Sequence, residues 1–407
     1  TAGDAWHACR RPRADGGWGL TAPVFILAGE SSGDRLAASL MRAIETAHGS
    51  QRWIGVGGPA MTAAGLQAQH QMEQLTIMGF GAALTAYPRL SGFANRLVDE
   101  IMAARPRLVI TVDVKGFSLR LAARLKRRMA SAGWSAPIVH VVAPTVWAWG
   151  AWRRHRVARS VDGLLCLFPF EPGYFTPLGV DAHFIGHPEA FNPVYNRPGR
   201  PSSVGDAPHI VILPGSRRSE IRNMLAPMLL TLNNLRFTYP GITATIPTLP
   251  AMRDELEAVF QRMPGAATGV TVDSEDGALF SALGRAHAVL AASGTVTLQT
   301  ALHGVPGVAC YITSGISASI GRRLVRMDRV ILPNAILGRQ VYPFLFQEGA
   351  TPRELTASML RVLGDEDAGR RAMADAAELR AALRGKSAGF EDNVARAFAG
   401  WLAPSQA

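Results

Sequence analysis

The chain has 407 residues, of which 48% are hydrophobic and 18% are charged. That composition supplies a large buried core and excludes a disordered protein. Lysine and arginine number 42 against 31 aspartates and glutamates, so the net charge is +11 and anionic partners are favoured. Three scattered cysteines exclude a disulfide framework. No apolar run reaches the ~18 residues that a membrane-spanning helix needs.

The N-terminal part of the chain is predicted to form one Rossmann-like lobe. Residues 1–22 are rich in glycine and arginine and are expected to be a disordered extension. From residue 23 to 191, short apolar runs alternate with longer amphipathic runs. This alternation is typical of a parallel sheet covered by helices on both faces. The predicted strands cover 24–28, 53–56, 108–112, 138–142 and 164–168.

A linker of composition rich in proline, glycine and serine covers 192–208. The same alternation restarts over 209–350, with predicted strands at 209–213, 242–246, 270–272, 288–291 and 308–311. Residues 351–407 are rich in alanine, arginine, glutamate and leucine and are expected to be helical. The sequence therefore predicts an α/β protein with two Rossmann-like lobes facing a cleft and a helical C-terminal tail.

Ligands of such sheets bind where the strands end, so the residues just after each strand are the candidates. The first strand is followed by Gly29-Glu30-Ser31-Ser32-Gly33-Asp34, which is either a structural turn or a ligand-binding loop. Ser31, Ser32 or Asp34 is expected to cap the helix that follows. Asp113 follows the strand at 108–112. Its carboxylate is suited to act as a general base, and a helix N-cap is the competing interpretation.

Two loops of the second lobe have the composition of phosphate-binding turns. Gly215-Ser216-Arg217 precedes a helix, and a glycine turn at a helix N-terminus offers N–H groups to an anion. Arg217 adds a guanidinium that suits phosphate. Ser293-Gly294-Thr295 repeats this arrangement, and Gln299 lies one turn further on, within reach of a ribose hydroxyl. A capped helix start without a ligand remains open for both loops.

A tryptophan-rich segment is followed by a basic one. Trp147 and Trp149 precede Arg153, Arg154 and Arg156. The segment is either a partly buried aromatic loop with a solvated basic helix or an edge that faces lipid or phosphate. Nucleic-acid binding also uses basic residues among aromatics, but no recognised nucleic-acid module surrounds this segment.

The order of these motifs resembles the lipid-A-disaccharide synthase family, which are inverting glycosyltransferases of the GT-B fold. The resemblance covers about 24–347. Besides the segments above, it includes Gly55-Val56-Gly57-Gly58-Pro59-Ala60-Met61, Ile77-Met78-Gly79, Phe168-Pro169-Phe170-Glu171, Phe184-Ile185-Gly186-His187-Pro188 and Leu332-Pro333-Asn334.

The resemblance implies that a 2,3-diacylglucosaminyl group passes from its UDP donor to 2,3-diacylglucosamine 1-phosphate. The products are the β-1,6 disaccharide 1-phosphate and UDP, with no metal and no cofactor. Asp113 matches the catalytic base. The matching nucleotide-binding residues are Gly215, Ser216, Arg217, Ser293, Gly294, Thr295 and Gln299. The matching substrate-binding residues are Gly29, Glu30, Ser32, Gly33, Met78, Trp147 and Asn334.

The sequence departs from the family pattern near the expected site. Where the family reads Asp-Ala-Pro-Asp-Phe-Asn, this chain has Asp113-Val114-Lys115-Gly116-Phe117-Ser118. Ala82 and Gln299 each replace a family glutamate. A divergent paralogue that binds lipid or a UDP-sugar with altered or lost transferase activity is therefore the alternative. Another GT-B enzyme, such as a UDP-GlcNAc transferase or epimerase, is a further alternative.

The charge then has two expected uses. Arg217 and the helix N-termini serve the UDP diphosphate, while two arginine clusters serve an anionic bilayer surface. The clusters are Arg153, Arg154 and Arg156, and Arg322, Arg323 and Arg326. We therefore expect a cytoplasmic protein that is peripherally associated with the inner membrane and does not bind nucleic acid. The oligomeric state is not specified by the sequence.

Overall fold

A computed structural model describes residues 22–75, 80–148, 150–196, 207–313, 330–385 and 389–402. The contacts divide these residues into two compact units. Unit 1 comprises the residues up to Val146, then Ala151–Pro188, then those from Arg384 onward. Unit 2 comprises Trp147–Gly150 and Glu189–Leu383. Met78, Trp149, the arginine cluster at 322–326 and nearly all of the expected N-terminal extension lie outside the described residues.

Unit 1 is built on a seven-stranded sheet in which every pairing is parallel. Its strand order is β3-β2-β1-β4-β5-β6-β7. The strands are β1 (Val24–Ala28), β2 (Trp53–Gly57), β3 (Gln67–Gln71), β4 (Leu108–Val112), β5 (Ile138–Val141), β6 (Gly163–Cys166) and β7 (Asp181–Phe184). All five residues of β1 and of β4 are buried, as expected for central strands covered on both faces.

The helices of unit 1 place their apolar faces on this sheet. They are α1 (Ser31–His48), α2 (Pro59–Ala63), α3 (Phe80–Ala104), α4 (Lys115–Ser131), α5 (Arg154–Ser160) and α6 (Pro172–Phe175). Leu97 and Ile101 of α3 and Leu121 of α4 pack with Val109 of β4 in one core. Burial of such apolar surface is the main stabilising contribution to a domain of this kind.

Unit 2 repeats the same topology. Its six parallel strands have the order β10-β9-β8-β11-β12-β13. They are β8 (His209–Leu213), β9 (Thr243–Pro247), β10 (Val270–Asp273), β11 (Ala288–Ala292), β12 (Gly307–Tyr311) and β13 (Phe344–Phe346). The helices are α7 (Arg218–Leu235), α8 (Arg253–Arg262), α9 (Ala278–Leu283), α10 (Thr295–Leu302), α11 (Leu332–Leu337), α12 (Pro352–Leu363) and α13 (Ala368–Arg384).

The expected C-terminal helical segment is divided between the units. The helices α12 and α13 belong to unit 2, whereas the last helix, α14 (Phe390–Leu402), belongs to unit 1. A ring nitrogen of His48 at the end of α1 donates to the carbonyl of Ala395, 2.9 Å away. Trp401 packs so closely on Gly163 of β6 that any Cβ at that glycine would collide with its ring. The chain therefore returns to its first unit after completing its second.

The predicted α/β class and the two Rossmann-like units are confirmed. All ten predicted strands are present, with ends that shift by at most two residues. The strands absent from the prediction are β3, β7 and β13, each at the edge of its sheet. None of the helices in the described ranges is both long and apolar enough to cross a membrane.

Candidate active site

Each sheet has a point where the strand order reverses, between β1 and β4 in unit 1 and between β8 and β11 in unit 2. At these points Ala28 lies beside Val112, and Leu213 lies beside Ala291. The crevice at the carboxyl ends of such strand pairs is the usual ligand position in doubly wound sheets. The four segments that follow these strands are those chosen from the sequence. We call this side of each sheet its carboxyl side.

The turn after β1 is packed tightly against its own unit. A Cβ added to Gly29 would lie 2.8 Å from Cγ2 of Val114 and 2.9 Å from Cβ of Leu75. Gly29 is therefore required by packing. Glu30 and Ser32 are exposed on the same turn, and Gly33 is buried with ordinary space around its Cα. In the described structure no side chain caps α1, so the predicted capping roles of Ser31, Ser32 and Asp34 for this helix are wrong.

Asp34 caps a different helix. Its buried carboxylate accepts hydrogen bonds from the backbone N–H groups of Gly58, Ala60 and Met61, at 2.8, 2.9 and 3.1 Å. These groups form the start of α2, so Asp34 ties the turn after β1 to the turn after β2. The three backbone N–H donors satisfy both oxygens of this buried carboxylate. The two glycine-rich motifs noted separately in the sequence therefore form one structural unit.

Asp113 lies at a strained strand end. Its φ is +51° and that of Val114 is +44°, in the left-handed region that a β-branched residue rarely adopts. Val142, just past the neighbouring strand β5, also has a positive φ of +74°. The Asp113 N–H donates to the carbonyl of Val141 at 3.0 Å, and the Ser118 hydroxyl donates to the Asp113 carbonyl at 2.8 Å. Such strain persists where surrounding bonds enforce it, and it is concentrated at functional sites.

Two further strand ends of unit 1, those of β6 and β7, are followed by a buried and a half-buried side chain. Glu171, only 1% exposed, accepts hydrogen bonds from the N–H groups of Leu167 and Phe168 after β6. The His187 ring stacks on Phe168 with a centroid distance of 5.6 Å. Desolvation lowers the pKa of His187 to about 4. His187 is therefore neutral at pH 7. Trp147, a predicted substrate-binding residue that belongs to unit 2, is also buried.

In unit 2 the turn Gly215-Ser216-Arg217 opens the long helix α7, as predicted. A carboxylate already occupies it. One oxygen of Glu220 accepts from the N–H groups of Ser216 at 3.0 Å and Arg217 at 3.3 Å. The other oxygen lies 3.0 Å from Nη1 of Arg217. Gly215 has φ +116°, and a Cβ there would lie 2.5 Å from Glu220.

The second loop of unit 2 is open. Gly294 immediately precedes α10, and none of the described side chains caps this helix start. No described atom lies within 4 Å of the position that a Cβ on Gly294 would take. Ser293 is anchored through its N–H to the carbonyl of Cys310, and the Thr297 hydroxyl donates to the carbonyl of Gly294. Exposed N–H groups at a helix start are suited to bind an anion.

Gln299 is paired with a carboxylate. Its Nε2 lies 3.5 Å from Oε1 of Glu189, whose Oε2 accepts the Tyr195 hydroxyl at 2.7 Å. Burial, followed by the charge of Glu189, raises the pKa of Tyr195. A glutamate at position 299 would place two carboxylates side by side. Gln299, where a glutamate was expected from the family resemblance, therefore lies beside the carboxylate of Glu189, which is 110 positions earlier in the chain.

Asn334 organises a loop. Its Oδ1 accepts from the N–H groups of Val341 and Tyr342, each at 2.9 Å, and its Nδ2 donates to the Tyr342 carbonyl at 2.8 Å. The buried Tyr342 hydroxyl in turn donates to the Val305 carbonyl at 2.6 Å. Three bonds from one amide fix the segment before β13. The described geometry therefore gives Asn334 a supporting position in unit 2.

The basic segment after the tryptophan-rich loop is partly exposed. Trp152 is 70% exposed, and Arg154 and Arg156 lie in the first turn of α5. No acidic residue occupies that first turn. Partial burial lowers the pKa of the Arg153 guanidinium. A large exposed aromatic beside positive charge is typical of surfaces that contact membrane interfaces.

Three carboxylates make contacts that were not predicted from the sequence. Glu220 follows Arg217 at the three-residue spacing of a capping box, so its contact was accessible from the sequence. Asp34 was considered, but only as a cap for the wrong helix. Glu189 gave no signal, because its partner is distant in the chain.

Two parallel-sheet units of this topology, each with candidate loops at its reversal point, are characteristic of the GT-B fold. The chain resembles the glycotransferase of kitacinnamycin, with a TM-score of 0.53, 14% identity and coverage of 88% of this chain and 95% of that one. It also resembles S. aureus MnaA in a co-structure with UDP, with a TM-score of 0.60, 13% identity and coverage of 94% and 97%.

The sequence places the chain more narrowly within that class. The lipid-A-disaccharide synthetase family model matches residues 24–398. The lipid-A-disaccharide synthase of Anaeromyxobacter dehalogenans strain 2CP-C is 35% identical over 371 residues, which cover 89% of this chain and 94% of that protein. The chain therefore belongs to the lipid-A-disaccharide synthase family, and the predicted family and enzyme class are confirmed.

Proposed function

We propose that the protein transfers 2,3-diacylglucosamine from UDP-2,3-diacylglucosamine to 2,3-diacylglucosamine 1-phosphate. The acceptor O6 forms a bond to C1 of the donor sugar as the bond between C1 and the UDP oxygen breaks. UDP leaves with the electron pair, and the proton of the 6-hydroxyl passes to a base. The main support is the position of the candidate residues at the reversal points of both sheets.

Asp113 is the proposed base. It follows β4, next to β1, and its backbone is held in a left-handed conformation by hydrogen bonds at its N–H and its carbonyl. A fixed carboxylate at the carboxyl side of a parallel sheet is suited to accept a proton from a bound hydroxyl. The exposed Glu30 and Ser32 and the buried Trp147 are proposed to help bind the acceptor, together with Met78. Gly29 and Gly33 shape the turn that carries Glu30 and Ser32.

The diphosphate of the donor is proposed to bind unit 2. Arg217 and the Gly215-Ser216 turn supply a guanidinium and N–H groups, and Ser293, Gly294 and Thr295 supply the open start of α10. These donors stabilise the negative charge that develops on departing UDP. Gln299, with Glu189 beside it, is proposed to bind the ribose, and Asn334 supports the neighbouring loop.

The test is a reaction of the purified protein with both substrates. We expect equal amounts of UDP and disaccharide 1-phosphate. Asp113→Asn should lower kcat at least about 100-fold, because general base catalysis contributes roughly 10²–10⁴ in rate. The control is Asp99→Asn, which removes an exposed acid of unit 1 that pairs with Arg128. UDP binding without turnover in the wild-type protein would instead favour the paralogue that has lost transferase activity.

We also propose that the protein works at the cytoplasmic surface of the inner membrane. Both sugar substrates carry acyl chains, and the exposed Trp152 beside Arg154 and Arg156 offers an aromatic and cationic contact for anionic headgroups. Each basic residue near such a surface contributes about 1 kcal/mol to binding.

Vesicle sedimentation tests this contact. Trp152→Ala combined with Arg154→Glu and Arg156→Glu should reduce binding to anionic vesicles at least about tenfold. Binding to neutral vesicles should be weak for both proteins. The control reverses two exposed arginines elsewhere in unit 1, with Arg42→Glu and Arg52→Glu. Equal losses in both variants would mean that net charge, and not this surface, determines binding.

A further inference from the structure

The carboxylate of Glu220 occupies the proposed diphosphate donors of unit 2. It accepts from the N–H groups of Ser216 and Arg217 and pairs with the Arg217 guanidinium. These are the groups that a bound diphosphate would use. A ligand phosphate at the same donors would lie within a few ångströms of the carboxylate, where like charges repel strongly.

The local geometry is built around this side chain. With φ +116° and a Cβ position 2.5 Å from Glu220, Gly215 makes room for the glutamate. The charge of the same carboxylate acts on Tyr311, at the end of β12. Burial raises the pKa of Tyr311 first, and the charge of Glu220 and a hydrogen bond to it raise it further, while Arg217 opposes the shift.

The side chains of Glu220 and Arg217 differ in their exposure to solvent. The Glu220 side chain is 12% exposed, whereas that of Arg217 is 76% exposed. The arginine is thus accessible to an anion from solvent while the glutamate holds it from the protein side. The start of α10 has no such internal carboxylate among the described residues.

We propose that Glu220 is an internal anion that exchanges with the UDP diphosphate. In the free enzyme it keeps the Ser216 and Arg217 donors ordered, and on UDP binding it yields these donors to the phosphates. When it takes the donors back, it favours release of UDP. This role rests on the proposed function, because it requires the diphosphate at this turn. Glu220 is a positioning residue that sets the affinity for the nucleotide.

The experiment compares UDP binding by calorimetry in the wild-type protein and in Glu220→Gln. The amide keeps the size and an acceptor oxygen but removes the charge. We expect UDP to bind about tenfold more tightly, which corresponds to 1.4 kcal/mol. Product inhibition by UDP should strengthen by the same factor. Uridine, which lacks phosphates, should bind equally to both proteins.

The matched control is Glu354→Gln. Glu354 occupies the same first-turn position of α12, where its N–H bonds to Thr351. This variant should bind UDP like the wild type. Unchanged or weaker UDP binding in Glu220→Gln would show that the glutamate only supports the helix start, and would overturn the proposal.

A second variant covers the case in which Glu220→Gln does not fold. Tyr311→Phe removes a hydroxyl group whose pKa the charge of Glu220 raises, and it should tighten UDP binding by about threefold, a smaller change in the same direction. No change, or weaker binding, would count against the exchange. If the wild-type protein binds no UDP, then the proposed nucleotide site itself is wrong, which is a separate and recognisable result.

Discussion

The carboxyl sides of the two sheets use carboxylates in contrasting ways. In unit 1, Asp34 and Glu171 are 3% and 1% exposed, and each accepts backbone N–H groups that close the turn beside it. In unit 2, Glu220 does the same at a turn whose arginine is largely in solvent. The turns of unit 1 are thus held by carboxylates that solvent does not reach, whereas the Glu220 carboxylate of unit 2 is proposed to exchange with a phosphate. The strained Asp113 lies on the carboxyl side of unit 1, and the proposed phosphate donors lie on the carboxyl side of unit 2.

Glycines that follow strands differ in the space around them, and Gly215 of unit 2 is packed as tightly as those of unit 1 described next. Gly29 and Gly58 are both surrounded by side chains of unit 1, so that a Cβ at either would be under 3 Å from an atom. Gly294 of unit 2 faces open space. A glycine that follows a strand is therefore either packed closely against its own unit or open, and the open Gly294 is proposed to admit a ligand.

The largest expected effect is at the turn that precedes α7 in unit 2. Arg217→Ala should lower kcat/KM for the UDP-sugar about 10²–10³-fold, because it removes a cation that stabilises the departing diphosphate. Arg217→Lys should retain part of the activity, since a point charge replaces the planar fork. The neighbouring exposed Arg218 provides the control. If Arg218→Ala and Arg217→Ala gave equal losses in steady-state assays, the assignment to one arginine would fail.

The two glycines form a matched pair for stability. Gly29→Ala should destabilise the protein by about 3 kcal/mol, because the new methyl group overlaps Val114 and Leu75. Gly294→Ala should leave the free energy of unfolding within about 0.5 kcal/mol of the wild type. Urea unfolding measures both. A similar loss of unfolding free energy in the two variants would contradict the difference between the packed Gly29 turn and the open Gly294 turn.

Lowering the pH should reduce the free energy of unfolding through His187, which lies on the carboxyl side of unit 1. Its pKa is about 4 in the folded protein and near the ordinary value of 6.5 in the unfolded chain. Above pH 6.5 the neutral ring contributes fully, and as the pH falls from 6.5 towards 4 the unfolded chain takes up the proton first. Between pH 7 and pH 5 the wild type should lose about 2 kcal/mol more than His187→Phe. His155→Gln, at an exposed histidine, should behave like the wild type in the same urea titrations.

The smallest expected effect concerns the acid beside Gln299. Gln299→Glu restores the family residue, yet it should lower the free energy of unfolding by about 1 kcal/mol because Glu189 is adjacent. Combining it with Glu189→Gln should recover the loss. A double-mutant cycle measures this coupling. Additive effects of the two changes would mean that the carboxylates do not meet.

The central strands could be predicted because their apolar runs are continuous, as in β1, β4 and β8. The polar and mostly exposed β3 (Gln67–Gln71) carries no such signal, since a strand at the edge of a sheet is buried less. The position of Asp113 was predictable from the strand before it. Its left-handed backbone was not, because neighbouring strands and Ser118 impose it through hydrogen bonds. The Asp34 cap likewise depends on a contact across 24 positions.

The return of α14 to unit 1 has a consequence for synthesis. The first unit needs Ala395 against His48 and Trp401 against Gly163, so nearly the whole chain must leave the ribosome before that unit closes. Until then α1 and β6 expose apolar surface that α14 later covers. A chain that lacks α14 is therefore more accessible to proteases and chaperones. The second unit has all its elements in one nearly continuous segment, so it can fold before the first unit is complete. The folding of unit 1 is thus expected to depend on α14, which follows all of unit 2 in the chain.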